Sequence, residues 1–158
     1  MRALWTAVVI FLADQASKLI VVHWMDLAAR GVIEIAPPLL TFRMAWNTGI
    51  NFGLFSGRDA RWILIGIALA IVAGVLLWMW RERPGKWAQI SAGVLIGGAL
   101  GNVVDRVAYG AVADFLNMSC CGIDNPFVFN IADVAIFAGA AGLILFTGPS
   151  KGRGARAG

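Results

Sequence analysis

The amino-acid sequence predicts an all-α polytopic membrane protein, with four transmembrane helices and a small β-rich insertion on the outer side. Of the 158 residues, 59% are hydrophobic and only 14% are charged, whereas a soluble domain carries about 25% charged residues. Two apolar runs are long enough to cross a hydrocarbon core of about 30 Å. The segment before them has the residue pattern of β-strands rather than of a span. We therefore interpret residues 1–158 as a single integral membrane domain.

The second and third predicted spans are the clearest in the chain. Residues 62–80 form a run of 19 without a charge, and residues 87–104 form a run of 18 that only three polar residues interrupt. At about 20 residues per crossing, each run suffices for one transmembrane helix. The third span contains Gly93, Gly97 and Gly101, which form consecutive GxxxG steps and predict close packing against another helix.

The first and fourth predicted spans both contain charge. The apolar run 3–13 crosses the membrane only if its helix continues to residue 22 through Asp14 and Lys18. These two residues are four apart, and we favour an ion pair between them within one helix. The apolar run 134–147 is also short, so its span must include Asp133. Charge is costly in hydrocarbon, and each group therefore needs a partner or a function. The predicted spans are 3–22, 62–80, 87–104 and 129–147.

Basic residues predict the orientation of the spans. Arg2, the hairpin at 81–86 and the tail at 148–158 together hold seven Lys and Arg residues. Because short cytoplasmic loops are enriched in Lys and Arg, we expect both termini to be cytoplasmic and residues 23–61 and 105–130 to lie outside. The net charge of +4 is explained by these flanks. It does not form a stripe that would indicate a nucleic-acid partner.

The segment 23–61 has the pattern of a β-rich insertion. It contains VIEIAPPLLTFRMAWNTGINFGLF, in which β-forming residues surround a proline pair and an Asn-Thr-Gly turn signal. We predict short strands at 32–35, 39–46 and 50–55.

Carboxylates and amides gather at the predicted outer ends of the third and fourth spans. Asn102 and Arg106 are four residues apart, and Asn130 and Asp133 are three apart, so each pair shares one helix face. Asp114, on the connector between these spans, could fold back against Asp133. Two carboxylates at one site, one of which keeps its proton because of the other, can hold a water and transfer protons to an amide. This is the chemistry of an aspartic protease.

The same residues also have a structural interpretation. Asn130 fits the N-cap of a helix, and Asp133 would then complement the helix dipole. The two interpretations are compatible, because a helix N-terminus favours an ionised carboxylate. Asp105 and Arg106 are better explained as a surface ion pair or as an anchor for the connector.

Other catalytic centres lack their parts in this sequence. A single histidine, His23, argues against a zinc site, and neither HExxH nor GxSxG occurs. Ser17 and Lys18 are adjacent and lie on different faces of a helix, which argues against a Ser–Lys dyad. Adjacent cysteines rarely bond each other, so we interpret Cys120 and Cys121 as loop residues, with metal binding as the alternative. We expect neither a metal nor a cofactor.

Five ordered motifs carry a resemblance to a known family. They are DQASK at 14–18, NTGINFG at 47–53, GGALGNVVDR at 97–106, VADF at 112–115 and FNIAD at 129–133. These motifs cover nearly the whole chain, and the sequence resembles bacterial lipoprotein signal peptidase, also called signal peptidase II. The resemblance implies a membrane aspartic endopeptidase of the bacterial inner membrane. Such an enzyme removes signal peptides from diacylglyceryl-modified prolipoproteins by cleaving before the lipidated cysteine.

The resemblance also implies roles for individual residues. The family's catalytic pair corresponds to Asp114 and Asp133. Its supporting polar residues correspond to Asn47, Asn102, Asp105, Arg106, Asn130, Asp14 and Lys18. Residues 23–61 would form the family's periplasmic β-cradle. A site near the periplasmic face would bind diacylglyceryl-prolipoprotein, membrane lipid and globomycin-type inhibitors.

The residues alone leave functions of other classes open. Intramembrane carboxylates also occur in transporters and proton relays, where they are distributed through the depth of the membrane. Here the carboxylates are predicted to gather at one face, with only Asp14 deeper, and this favours the peptidase. A purely structural helical scaffold would leave the repeated Asn and Asp clusters unexplained.

Overall fold

The chain is mainly helical, with one small sheet. The computed structural model describes residues 1–49, 58–122 and 125–147. In these ranges the helices are α1 (Arg2–Lys18), α2 (Leu27–Arg30), α3 (Arg58–Glu82), α4 (Lys86–Tyr109) and α5 (Ile131–Phe146). The strands are β1 (Val32–Ala36), β2 (Leu40–Asn47) and β3 (Val112–Asn117). A π-helical segment, Leu19–Trp24, continues α1 without a break.

Three helical stretches are long and apolar enough to cross a membrane. They are Arg2–Trp24, Ala60–Glu82 and Lys86–Tyr109, and they agree with the first three predicted spans. The first stretch includes Asp14 and Lys18, as the shortness of the apolar run 3–13 required. Helix α5 is apolar but has only 16 residues, which is fewer than the roughly 20 that one crossing takes.

Glycine allows α4 to pack closely between α1 and α5. A Cβ atom added to Gly97 would lie 2.5 Å from the backbone oxygen of Ala7 in α1. On the other side, a Cβ added to Gly98 would lie 2.5 Å from the backbone oxygen of Ala132 in α5. No larger residue fits at these distances. The close helix packing that the GxxxG steps predict is therefore present, and α4 is the central helix of this group.

The sheet has the antiparallel order β1–β2–β3. Strands β1 and β2 confirm the predicted strands 32–35 and 39–46, whereas the predicted strand 50–55 lies outside the described residues. The third strand, β3, was predicted only as a connector. It forms because β2 offers a partner along its length, for example Trp46 opposite Ala113. One face of the sheet packs on a buried cluster around Val21, Val22, Leu27, Ala113 and Phe115.

The connector from β3 to α5 is tied back to the sheet. Asn117 donates from its side-chain amide to the backbone oxygens of Asn125, at 2.7 Å, and of Phe127, at 2.8 Å. Cys120 and Cys121 lie in this connector, in agreement with their interpretation as loop residues. Their sulfur atoms are bonded to each other, which was not expected from the sequence. Cys121 lies at φ 60°, in the left-handed region of backbone conformation.

Candidate active site

Asp114 is held by two side-chain amides on one face of the sheet. It lies on β3, and alternation along the strands places it on the same face as Asn47 of β2. Asn47 donates from Nδ2 to Asp114 Oδ2 at 3.0 Å, and Asn130 donates from Nδ2 to Asp114 Oδ1 at 2.6 Å. The side chain is 2% exposed. Both carboxyl oxygens therefore accept hydrogen bonds from neutral groups.

Asp133 lies in the first turn of α5, where it closes a capping box. Its backbone N–H donates to Asn130 Oδ1 at 2.9 Å, and its Oδ2 accepts from the backbone N–H of Asn130 at 3.3 Å. The predicted helix cap is confirmed. The other carboxyl oxygen, Oδ1, accepts from Nδ2 of Asn102 at 2.9 Å. One carboxyl oxygen of Asp133 therefore caps α5, and the other contacts Asn102 of α4.

A chain of amides links the two carboxylates. Asn130 Nδ2 donates to Asp114 and also to Oδ1 of Asn102, at 3.3 Å. Asn102 in turn donates to Asp133. The structure therefore brings Asp114, Asp133, Asn47, Asn102 and Asn130 into one hydrogen-bonded cluster, which we call the amide cluster. These five residues were all candidates from the sequence.

Burial and charge act together on Asp114. Burial, followed by the negative charge of Asp133, raises the pKa of Asp114 from its ordinary 3.8 to about 6. The hydrogen bonds from Asn47 and Asn130 act in the opposite direction but do not cancel the increase in pKa. A carboxyl group with a pKa near 6 can give and take a proton near neutral pH. Neighbouring groups of this kind are the usual sign of acid–base chemistry.

A second group of carboxylates lies beside the amide cluster and contains a cation. Lys18 Nζ lies 2.7 Å from Asp14 Oδ2 and 2.7 Å from Asp105 Oδ2. Gln15 donates to both carboxylates at 3.1 Å. Both aspartates are completely buried. We call these four residues the lysine cluster; a Cβ at Gly101 would lie 2.5 Å from Asp14 Oδ2, so glycine gives the cluster its space.

The lysine cluster holds the backbone next to each residue of the pair. Asp14 Oδ1 accepts from the backbone N–H of Ala132 at 3.0 Å, and Asp105 Oδ2 accepts from the backbone N–H of Ala113 at 3.2 Å. Ala132 precedes Asp133, and Ala113 precedes Asp114. One ammonium group therefore links the anchors of both carboxylates.

These contacts settle the structural expectations for the charged residues. The predicted ion pair between Asp14 and Lys18 is present. Asp105 anchors the connector, as one interpretation had it. The alternative of a surface ion pair with Arg106 is wrong, because Asp105 is buried and pairs with Lys18. Sequence spacing could not reveal this partner, which lies on another helix.

Arg106 and the turn after Asn47 complete the surroundings of the amide cluster. Arg106 Nη1 donates to the backbone oxygen of Asn102 at 3.2 Å. Its Nε is buried and has no hydrogen-bond partner among the residues that the structure describes. The backbone N–H of Gly49 donates to Asn47 Oδ1 at 2.8 Å. Gly49 has φ 91°, a conformation that favours glycine. The hydrogen bond from its N–H fixes the side chain of Asn47.

Sequence reasoning missed several participants in the two clusters. Gln15 bridges Asp14 and Asp105, and its only signal was its place inside the DQASK motif. The contacts of the backbone N–H groups of Ala113 and Ala132 could not be predicted from any side chain.

The four carboxylates of the two clusters gather where α1, α4, β3 and α5 meet. In a transmembrane proton relay, carboxylates are instead distributed through the depth of the membrane.

Known proteins resemble this chain over most of its length. A family model described as signal peptidase (SPase) II matches residues 6–147. A lipoprotein signal peptidase of Rhodopseudomonas palustris (strain ATCC BAA-98 / CGA009) is 44% identical over 141 residues, which cover 87% of this chain and 85% of the relative. One from Methylobacterium sp. (strain 4-46) is 41% identical over 151 residues, with coverage of 94% and 90%. A solved bacterial membrane enzyme superposes with a TM-score of 0.80 at 28% identity, covering 94% of this chain and 93% of its own.

Proposed function

Because this chain belongs to the signal peptidase II family, we propose that Asp114 and Asp133 are the catalytic pair with which it removes signal peptides from prolipoproteins. The enzyme is an aspartic endopeptidase, as its family is. The observation that carries the assignment is the amide cluster. It holds two carboxylates through neutral Asn102 and Asn130, with the pKa of Asp114 raised to about 6.

The two carboxylates divide the work of peptide hydrolysis. Asp133, at the N-terminus of α5 where the helix dipole favours negative charge, takes a proton from the attacking water. The water oxygen bonds to the scissile carbonyl carbon, and Asp114 gives its proton to the carbonyl oxygen. The carbon–nitrogen bond of the tetrahedral intermediate then breaks as the leaving nitrogen takes the proton from Asp133 and Asp114 regains its own. Both residues return to their starting states.

The supporting residues act on the position and the charge of this pair. Asn47 and Asn130 hold the Asp114 carboxyl group, and Asn102 holds that of Asp133. Asp14, Lys18 and Asp105 hold the backbone beside both catalytic residues. Arg106 lies close enough for its charge to interact with those of Asp114 and Asp133. Its guanidinium group offers a positive charge for the developing oxyanion.

The single membrane domain crosses the bacterial inner membrane four times, with α5 and the residues around it, 129–147, forming the fourth span. Both termini and the hairpin 81–86 lie in the cytoplasm, because the Lys and Arg residues concentrate there. The sheet and the amide cluster then lie near the periplasmic face. Reporter fusions at residue 84 should give a cytoplasmic signal. A periplasmic signal would place the site on the wrong side of the membrane.

The substrate carries a diacylglyceryl group on the cysteine that follows the scissile bond. Such a substrate suits a site at the membrane surface, because buried acyl chains contribute about 0.8 kcal/mol per CH₂ and hold the bond at that depth. Cleavage before the modified cysteine makes it the new N-terminal residue. Globomycin-type inhibitors compete for the same site.

Paired cleavage assays test the proposal. Purified full-length enzyme in detergent micelles receives equal concentrations of the lipidated and the unlipidated form of one prolipoprotein. We expect cleavage of the lipidated form, little cleavage of the unlipidated form and no effect of zinc chelators. Equal rates for the two forms would reject the lipid requirement alone. Inhibition by chelators would reject the aspartic mechanism.

A further inference from the structure

A separate cavity lies on the opposite face of the sheet from the amide cluster. Its volume is about 250 Å³, and its wall is formed by α1, the π-helical segment, α4, β2 and β3. Trp46 and Ala113 are opposite each other on β2 and β3, and both line the cavity. Their neighbours Asn47 and Asp114 point to the other face, because side chains alternate along a strand. The cavity is therefore separated from the proposed catalytic pair by the sheet.

Aromatic rings form one side of this cavity. The Trp46 and Tyr109 ring centroids are 5.6 Å apart with an interplanar angle of 50°, and those of His23 and Tyr109 are 6.4 Å apart at 41°. The rings are tilted rather than stacked. The side chains of Trp46, Tyr109 and His23 are all exposed, and the faces of their rings are therefore accessible. A cation placed over the face of a Trp or Tyr ring is attracted by the ring quadrupole, and an ammonium group is such a cation.

The opposite side of the cavity is polar and belongs to the lysine cluster. Gln15, Lys18 and Asp105 all line it. The Asp105 carboxylate adds a negative charge that attracts a cation. Because two carboxylates share the one ammonium of Lys18, this side carries a net negative charge. It therefore suits a cationic group.

With the long helices spanning the membrane as proposed, the cavity lies near the level of the lipid headgroups. It is at the sheet-proximal ends of the membrane-spanning stretches Arg2–Trp24 and Lys86–Tyr109. Leu19, an apolar side chain that lines the cavity, is exposed. The π-helical segment forms part of its wall, and such segments are frequent at functional sites. Its volume is below the roughly 300 Å³ at which drug-sized pockets begin, which fits a headgroup rather than a whole lipid.

From these observations we propose that the cavity binds the ethanolamine headgroup of a membrane phospholipid. The ammonium group lies between the rings of Trp46 and Tyr109 and the net negative charge of the lysine cluster. The acyl chains extend past the exposed side chain of Leu19 into the membrane. This binding does not require the catalytic pair and is independent of the proposed peptidase chemistry.

The composition of the chain provides a clean probe, because Tyr109 is the only tyrosine. Full-length enzyme labelled with 3-fluorotyrosine gives one ¹⁹F resonance, from the cavity itself. The enzyme, in micelles of a non-ionic detergent, is titrated with dioleoyl phosphatidylethanolamine and, in parallel, with dioleoyl phosphatidylglycerol. We expect a saturable shift with the ethanolamine lipid only. Equal shifts with both lipids, or no shift with either, would overturn the proposal.

Two further experiments test whether the ligand is a lipid or a soluble amine, and whether Trp46 contacts it. Soluble ethanolamine at the same concentration should leave the resonance unchanged; a saturating shift would show that the ligand is a soluble amine and not a lipid. Trp46→Leu should weaken the response to the ethanolamine lipid roughly tenfold. Trp46→Phe keeps an aromatic face and should retain most of the response, and the control Trp80→Leu should retain all of it. Unchanged binding by Trp46→Leu would contradict the proposed contact.

Discussion

Two pairs of aspartates lie side by side in this molecule, and they differ in what surrounds them. Asp14 and Asp105 share the ammonium of Lys18, at 2.7 Å from each. Asp114 and Asp133 are held by the neutral amides of asparagines instead, and the pKa of Asp114 is raised to about 6. A cation fixes the charge of the first pair, which makes it an anchor. Among the described residues no cation is hydrogen-bonded to the second pair, and this pair can exchange protons.

Removing either carboxyl group of the second pair should have the largest effect. Asp114→Asn and Asp133→Asn preserve the shape of the side chain but cannot take or give the proton. We expect each to reduce the rate of prolipoprotein cleavage by roughly 10³-fold or more. Insertion and folded yield should remain near those of the wild type. The measurement is the initial rate in micelles, beside a thermal unfolding curve.

The matched control for these variants is Asp26→Asn. Asp26 is exposed and has φ 58°, a conformation that asparagine also adopts readily. The Asp26→Asn protein should cleave prolipoprotein at the wild-type rate. Near-normal turnover by well-folded Asp133→Asn protein would contradict the assignment of the pair.

Removing the cation of the first pair should act on stability. Lys18→Met leaves two carboxylates buried against each other, and breaking a buried ion pair in this way costs about 3–5 kcal/mol in the free energy of unfolding. Thermal unfolding in detergent measures the loss. Lys86→Met, at an exposed lysine, is the control and should change little. An unchanged melting temperature for Lys18→Met would show that the lysine cluster is not the anchor.

Asp105→Asn removes one carboxylate of the same cluster. It should reduce the yield of folded protein more than it reduces the cleavage rate of the protein that folds.

Removing one amide donor should have a smaller effect. Asn47→Ala deletes the hydrogen bond that lowers the pKa of Asp114. The pKa should therefore rise further, and the cleavage rate should fall about tenfold, the value of one such bond. The pH profile separates this from a general loss of structure, because its limb due to Asp114 should move to higher pH. A lower rate with an unmoved profile would contradict the role of Asn47.

The raised pKa of Asp114 should also make stability depend on pH. The pKa of Asp114 is raised from 3.8 to about 6 in the folded state, so the folded protein holds a proton that the unfolded chain has released. The contribution of Asp114 to stability is therefore complete below about pH 4 and is lost as the pH rises through about 6. The free energy of unfolding of the wild type should fall in this range relative to Asp114→Asn. A parallel pH dependence of the two proteins would contradict the raised pKa.

The difference between the two pairs also shows what a sequence can predict. The apolar runs predicted the long helices, and the local motif at Asn130 predicted the cap with Asp133, because both depend on neighbours in the chain. The ion pair of Lys18 with Asp105 and the strand β3 were not predicted, because each depends on a partner far away in sequence. The residues VADFLN contain Asp and Asn, which disfavour strands, and they form β3 only because β2 pairs with them.

The central claim is that Asp114 and Asp133 act as one electrostatic unit with the proton on Asp114. Isotope-edited infrared spectra of protein labelled with [4-¹³C]aspartate, as the difference between wild type and Asp114→Asn, isolate the Asp114 carboxyl group. We predict a protonated carboxyl band that disappears with a midpoint near pH 6. In an Asp133→Asn background the midpoint should move toward 3.8 without reaching it, because burial remains. A wild-type midpoint near 3.8, or a midpoint that Asp133→Asn leaves in place, would contradict the account.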